Sequence, residues 1–357
     1  MLAMKSLRLD PCRRRKTSRM RRLIPPLILA SVACASPAYA IPAYRQVATI
    51  ALGAPDRWDY VVADAPAHRV YIAHGDRLAV VDTEANALIG AVEGIAGGTH
   101  GTAISAATEQ GFTDDGRAGT AIAFDLKTLA VVKAIPAGDD ADAIAIDPVS
   151  GHVFVVEGDP GTITVVDPRT NIAVATIGGG EKMEYAVPDG AGAIFVAGTE
   201  KGDILKIDAL GNRVVARWPA AGCMKPHGLA YDRANKRLFM GCTNGVILVA
   251  DASDGRIVAT LPIGRGSDAV VFDAVRRRVF SSNGQDGTIS IYQQTTPDRY
   301  DALDTLHTAV SGRTMAVDSM TGHLFVAAAD TQPNPVPGGR PHVVPGTLRV
   351  LVYAPAD

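Results

Sequence analysis

Aromatic side chains are scarce, 5% of the 357 residues, too few for base stacking along an oligonucleotide to be the default use of the surface. Cysteine is rarer still. There are four, and two of them, Cys12 and Cys34, fall within the first forty residues. Long apolar runs are missing apart from the stretch from Leu23 to Ala35, which Pro25 and Pro26 interrupt and which is too short to span a bilayer. No Gly-x-Ser-x-Gly elbow occurs, so the chain carries no α/β-hydrolase signature. Gly97-Gly98 and Gly178-Gly179-Gly180 lie between short apolar segments rather than between a strand and a helix, which excludes phosphate loops. Charge is modest at 20% against 47% hydrophobic residues, and that balance excludes general disorder.

What is present begins with an asymmetry of charge. Residues 1–40 hold nine of the 35 Lys and Arg residues and one of the 37 acids, leaving 26 basic against 36 acidic residues and a net charge of −10. An acidic body repels a phosphate backbone, so nucleic acid is not expected as a partner. Arg21-Arg22, the short apolar run and Ala38-Tyr39-Ala40 have the layout of a secretory signal with cleavage after Ala40. Met20 would start a signal of ordinary length. Cys34 lacks an aliphatic residue where Ser31 stands, so release is expected rather than lipid attachment. Residues 41–357 would then be a periplasmic or secreted monomer without a membrane span. Cys223 and Cys242, left alone in an oxidising compartment, are expected to form a disulfide joining neighbouring antiparallel strands.

The body repeats. Short apolar segments centred on an aromatic recur at Tyr71, Phe112, Phe154, Phe195, Phe239, Phe280 and Phe325, spaced 41, 42, 41, 44, 41 and 45 residues apart. About ten residues after each, an apolar segment usually ends in aspartate: Asp82, Asp125, Asp167, Asp208 and Asp251. Tyr292 and Tyr353 occupy the matching place in the last two repeats. With 36 Gly and 22 Pro marking turns, four short strands per period give an all-β, seven-bladed β-propeller. The last repeat lacks an outer strand, whereas Gln46 to Leu52 reads as an outer strand without a blade. The N-terminal strand should therefore complete the seventh blade and close the ring, making residues 41–357 one propeller domain.

Several of these segments resemble the YncE-like family of seven-bladed propellers with YVTN-type repeats. The resemblance rests on Trp58-Asp59-Tyr60, His100-Gly101, the Phe124–Leu129 segment, the stretch from Cys223 through Pro226-His227-Gly228 to Cys242, and Ser281-Ser282-Asn283-Gly284. It covers essentially all of residues 44–353. It implies the fold and export, but little about activity, because propellers host binding modules and enzymes alike.

Chemistry should gather at one mouth of the central channel, where the innermost strand of each blade begins. Aligning the repeats places Asp59, His100, Asp142, Glu184, His227, Asp268 and Arg313 there in blades one to seven. Turns on the same face should carry His74, Asp114, Glu157, Asn244, Asn283 and Asp286. Two imidazoles among carboxylates suit a divalent transition metal such as Zn²⁺, Mn²⁺ or Fe²⁺ better than Ca²⁺. His100, His227 and Asp142 are the expected metal ligands. Asp59, Glu184, Asp268, Arg313, Asn244 and Asn283 are the expected contacts to a small ligand. Asp142, Glu184 and Asp268 are the candidate general bases should the site be catalytic.

Three functions fit these residues. The first is a propeller binding a small molecule or metal ion at the channel mouth. The second is a metal-dependent hydrolase or lactonase using the same ring. The third is a scaffold for another periplasmic protein, in which the ring is structural. Blade seven also carries an insertion from Asp330 to Pro345, including Arg340 and His342, placed either as a lid or as a fixed rim loop. His68, His152, His307 and His323 read as turn or surface residues.

Overall fold

The computed structural model describes residues 43–334 and 341–356. The segment expected to be a signal, Cys12, Cys34 and Arg340 lie outside the described residues.

Each repeat folds as one antiparallel sheet, and the seven sheets are arranged as a β-propeller. Blade three is representative: inner strand Ala141–Ile146, then Val153–Glu157, Thr162–Asp167 and outer strand Ile172–Gly178, paired in that order. The other inner strands are Val61–Asp64, Thr102–Ser105, Met183–Pro188, Pro226–Asp232, Ser267–Asp273 and Thr314–Val317. Each inner strand packs beside the next, and the seventh packs beside the first, so the circle closes. Blade six has a split outer edge, because both Arg299–Ala302 and Leu306–His307 pair with the long third strand Thr288–Thr296.

The seven periodic aromatics are the keystones of the packing. Tyr71, Phe112, Phe154, Phe195, Phe239, Phe280 and Phe325 are all 1% exposed or less. Each sits at the centre of a second strand whose two faces press on neighbouring blades, so every blade supplies half of two hydrophobic layers. Fully burying one such ring stabilises the fold by about 2–3 kcal/mol. The recurrent aspartates do a different job. Asp82, Asp125, Asp167, Asp208 and Asp251 accept backbone N–H groups two or three residues ahead, which sets the turn into each outer strand.

Ring closure follows the sequence expectation. Strand Tyr44–Ala51 pairs antiparallel with Arg349–Pro355 and completes blade seven, in the order Tyr44–Ala51, Arg349–Pro355, Leu324–Ala328, Thr314–Val317. The insertion of blade seven forms a small hairpin, Thr331–Gln332 against His342–Val343. Arg349 holds its base by an ion pair to Asp330 at 2.7 Å. Among the described residues the only helical element is the single turn Ala65–Ala67, and no helix is long and apolar enough to cross a membrane.

Candidate functional site

The channel mouth is built by a backbone irregularity. In blades three to six the pairing of the inner strand is interrupted after its first residue: between Ala141 and Ile144, Met183 and Ala186, Pro226 and Leu229, and Ser267 and Val270. The two residues released in each bulge are Asp142-Ala143, Glu184-Tyr185, His227-Gly228 and Asp268-Ala269. A bulge bends a strand and re-aims its side chains, which puts an ionisable group at the rim, with a small residue beside it in three of the four blades (Ala143, Gly228, Ala269) and Tyr185 in the fourth. At Gly228 the small residue is obligatory: a Cβ there would lie 2.4 Å from the backbone nitrogen of Val270.

Six of the seven aligned residues fall into two groups. In the first, His227 Nδ1 lies 3.2 Å from Glu184 Oε1 and 3.4 Å from Asp268 Oδ1. Glu184 also accepts the Tyr60 hydroxyl at 3.1 Å. Asp268 is bound on its other side by Arg313 at 2.9 Å, and Arg313 reaches on to Asp59 at 3.7 Å and donates to the Trp58 carbonyl at 2.6 Å. A continuous polar chain therefore runs from Asp59 through Arg313, Asp268 and His227 to Glu184 and Tyr60. The second group is His100 with Asp114. Its Nδ1 is 2.7 Å from Asp114 Oδ2, while Asp114 Oδ1 accepts the N–H groups of His100 and Gly101. His100 is thus held by its own blade, and the structure groups His227 with Glu184 and Asp268.

Asp142 stands between these groups and makes no hydrogen bond among the described residues. Burial, followed by the negative charges of Glu184 and Asp59, holds its carboxyl well above the ordinary range. Asp59 is pushed up to about 6 by burial, against the pull of Arg313. The hydrogen bond to Glu184 raises His227, and this outweighs its burial.

Burial alone would depress His100, but the hydrogen bond and charge of Asp114, with Asp142 and Asp59 behind it, lift it to about 9. Asp114, buried beneath it, is raised to about 6 by desolvation. Because folded His100 binds its proton more tightly than the unfolded chain, its contribution is complete below about pH 6.5 and is lost as pH rises through about 9. Urea titrations should show wild type losing up to about 3 kcal/mol between those limits relative to a His100→Gln/Asp114→Asn variant. Parallel pH dependence in the two proteins would refute the pairing.

The residues expected on the turns are placed on this face but are spent on the fold. Asn244 accepts the Met224 N–H and donates to the Gly222 carbonyl. Asn283 is fully buried among Ser281, Thr288 and Ser290. Glu157 ties Gly138, Thr162 and Thr164 together, and His74 donates to the Pro55 carbonyl at 2.7 Å. The expected disulfide joins Cys223 and Cys242. Cys223 lies not on a strand but in the link entering Pro226–Asp232, so the bridge anchors the segment that delivers His227. Closing a loop of 19 residues in this way constrains the unfolded chain by about 3 kcal/mol.

Two features escaped the sequence reading. Tyr60 of blade one and Tyr185 of blade four meet across the axis in an edge-to-face contact with ring centroids 4.8 Å apart. They form a floor beneath the charged ring. On its far side is a cavity of about 510 Å³ whose wall includes Val62, Ile104, Ile146, Val187, Tyr231 and Val317. Asp114 was placed correctly on the face, yet its partnership with His100 was not seen. The signal existed: the equivalent positions in the other blades are Ala73, Val156, Ala197, Gly241, Ser282 and Ala327, none of them ionisable.

Comparison with known proteins adds the fold and nothing finer. No family model matches the chain, and no curated protein matches it. Among solved structures, a chain from Kuenenia stuttgartiensis hydrazine synthase aligns with a TM-score of 0.66 at 14% identity, covering 75% of this chain and 92% of that one. U3-55K aligns with a TM-score of 0.72 at 11% identity, covering 86% and 98%. At such identities the likeness is one of fold, supporting the seven-bladed propeller.

Proposed function

We propose that this is an exported, YncE-like propeller whose channel mouth binds a divalent transition metal through Glu184, His227 and Asp268, and a small ligand beside it. The observation that carries the reading is the spacing of His227 from the two carboxylates, all three donors lying within 4.8 Å of one another. Ligands about 2.1 Å from one ion lie about 3.0–3.4 Å apart at adjacent octahedral or tetrahedral positions. The separations of 3.2 and 3.4 Å from His227 Nδ1 to the two carboxylates match. The donor set is mixed nitrogen and oxygen, which favours Zn²⁺, Mn²⁺ or Fe²⁺ over Ca²⁺. The chemistry also favours a cation, because among the seven aligned ring residues Glu184, Asp268, Asp59 and Asp142 stand with one arginine, Arg313.

The test is elemental analysis of protein purified without chelator, beside Glu184→Gln and His227→Gln variants. About one transition metal per chain is expected in wild type and less than about a tenth of that in either variant. An equal metal content in all three, or none in wild type after loading with Zn²⁺, would overturn the proposal.

A hydrolytic reading of the same site has one observation in its favour. Asp142 is an unpartnered carboxyl next to Glu184 in ring order, with its proton held more tightly than usual. It could exchange a proton with a water or substrate placed between it and the triad. Turnover of a simple lactone that requires both Zn²⁺ and Asp142 would establish this reading over binding alone.

A further inference from the structure

Beside the triad, on the opposite side of Arg313, the mouth opens into a cleft of about 240 Å³. Its wall includes Asp56, Arg57, Trp58, Asp59, His100 and Arg313, together with Val343 of the blade-seven hairpin. The volume is below that of a drug-sized pocket, so it suits a metabolite-sized molecule. Three cationic groups from three blades converge on it. Arg57 is exposed and makes no ion pair or hydrogen bond among the described residues. Arg313 lies 5.8 Å from the centre of the Trp58 ring, stacked over it as a cation on an aromatic face. His100 uses only Nδ1 on Asp114, leaving its second ring nitrogen without a partner among the described residues. The indole N–H of Trp58 is also buried with no acceptor among the described residues, a donor of the kind that normally finds one.

Arg313 and His100 already pair with Asp59, Asp268 and Asp114, so Arg57 is the cation of the cleft without a partner among the described residues. Asp56 accepts the Gly346 N–H at 2.7 Å, and Asp59 is paired with Arg313. Asp114 and Asp142 flank His100 and help to keep it protonated at neutral pH.

We infer that this cleft is a subsite for a small organic anion whose carboxylate or phosphate oxygens are held between Arg57, Arg313 and the free nitrogen of His100. Guanidinium groups suit the task because their planar donors match either oxyanion in pairs. Since Arg313 also touches Asp268, one end of such an anion would lie next to the triad. The inference deepens the reading of the mouth as a ligand site by naming the ligand's chemical class. The cleft itself needs no metal.

The protein contains two tryptophans, Trp58 and Trp218, so a Trp218→Phe variant makes Trp58 the only indole emitter. We would titrate this variant in the presence of EDTA with succinate, citrate and glycerol phosphate, using succinamide as the neutral control. Saturable change in Trp58 emission with at least one anion and none with succinamide is expected. Binding should weaken at least about tenfold in Arg57→Glu, whose exposed side chain leaves the melting midpoint where it was. Arg57→Gln should fall between the two. Response to glycerol phosphate alone would identify phosphate as the head group, and response to the acids alone would identify carboxylate. No saturable response to any anion up to about 20 mM, or one indifferent to Arg57→Glu, would overturn the inference. Repeating the titration with Zn²⁺ separates the two proposals: anion binding without metal retention sinks the triad alone, and metal retention without anion binding sinks the cleft alone.

Discussion

A chain that begins at Gly53 should not complete the propeller. Strand Tyr44–Ala51 contributes the whole outer edge of blade seven. Tyr44 is 1% exposed and meets Phe280 of blade six edge-to-face at 5.4 Å, while Ile50 and Leu52 fill the layer shared with blade one. Burial of these three side chains is worth about 5–8 kcal/mol together, comparable to the entire stability of an ordinary domain. Removing the strand would also expose the backbone edge of Arg349–Pro355, an invitation to pair with another chain. Size-exclusion chromatography and thermal melts should therefore show aggregation or a midpoint lowered by at least about 10 °C. A synthetic Ala43–Leu52 peptide added in trans should restore part of the loss. A cooperative melt within about 2 °C of the intact protein would mean that the ring holds without its clasp.

The second large effect is thermal and depends on metal. If Glu184, His227 and Asp268 bind Zn²⁺, the ion stabilises the folded state through its preference for that state alone. At a hundredfold excess over the dissociation constant the gain is about 2.7 kcal/mol, a rise in melting midpoint of about 4 °C for a chain this long. Without metal, His227→Gln should remain close to wild type, because Glu184 keeps the Tyr60 hydroxyl and Asp268 keeps Arg313. With Zn²⁺, wild type should rise and His227→Gln should not. Equal rises would place the ion elsewhere, and the absence of any rise in wild type would leave the triad as hydrogen-bonded imidazole and carboxylates.

The fold was legible because its signals are local and repeated. An aromatic every 41 to 45 residues marks the buried centre of each blade, and the unpaired outer strand at Gln46 to Leu52 announces the closure. The ring of Asp59, His100, Asp142, Glu184, His227, Asp268 and Arg313 was legible for the same reason, since equivalent positions in a repeat occupy equivalent places around an axis. What repetition does not encode is how far each side chain reaches inward and which neighbour it meets. His100 was expected to join His227 and Asp142, but a buried carboxylate in its own blade holds it, and the grouping follows from the bulges that turn Glu184, His227 and Asp268 toward one another. Asn244 and Asn283 illustrate the converse. Their place on the turns was readable, but the amide of Asn244 is consumed by the backbone it caps and that of Asn283 by buried hydroxyls. The cleft at Arg57 and Trp58 had no periodic signal, because that segment precedes the first inner strand and has no counterpart in the other blades.

The contact between Tyr60 and Tyr185 changes what kind of vessel the propeller is. With the two rings in contact, the charged mouth has an aromatic base. A molecule resting among the carboxylates would have two phenol rings beneath it, and the cavity on their other side has a wall of its own. The mouth is thus furnished as a place to land.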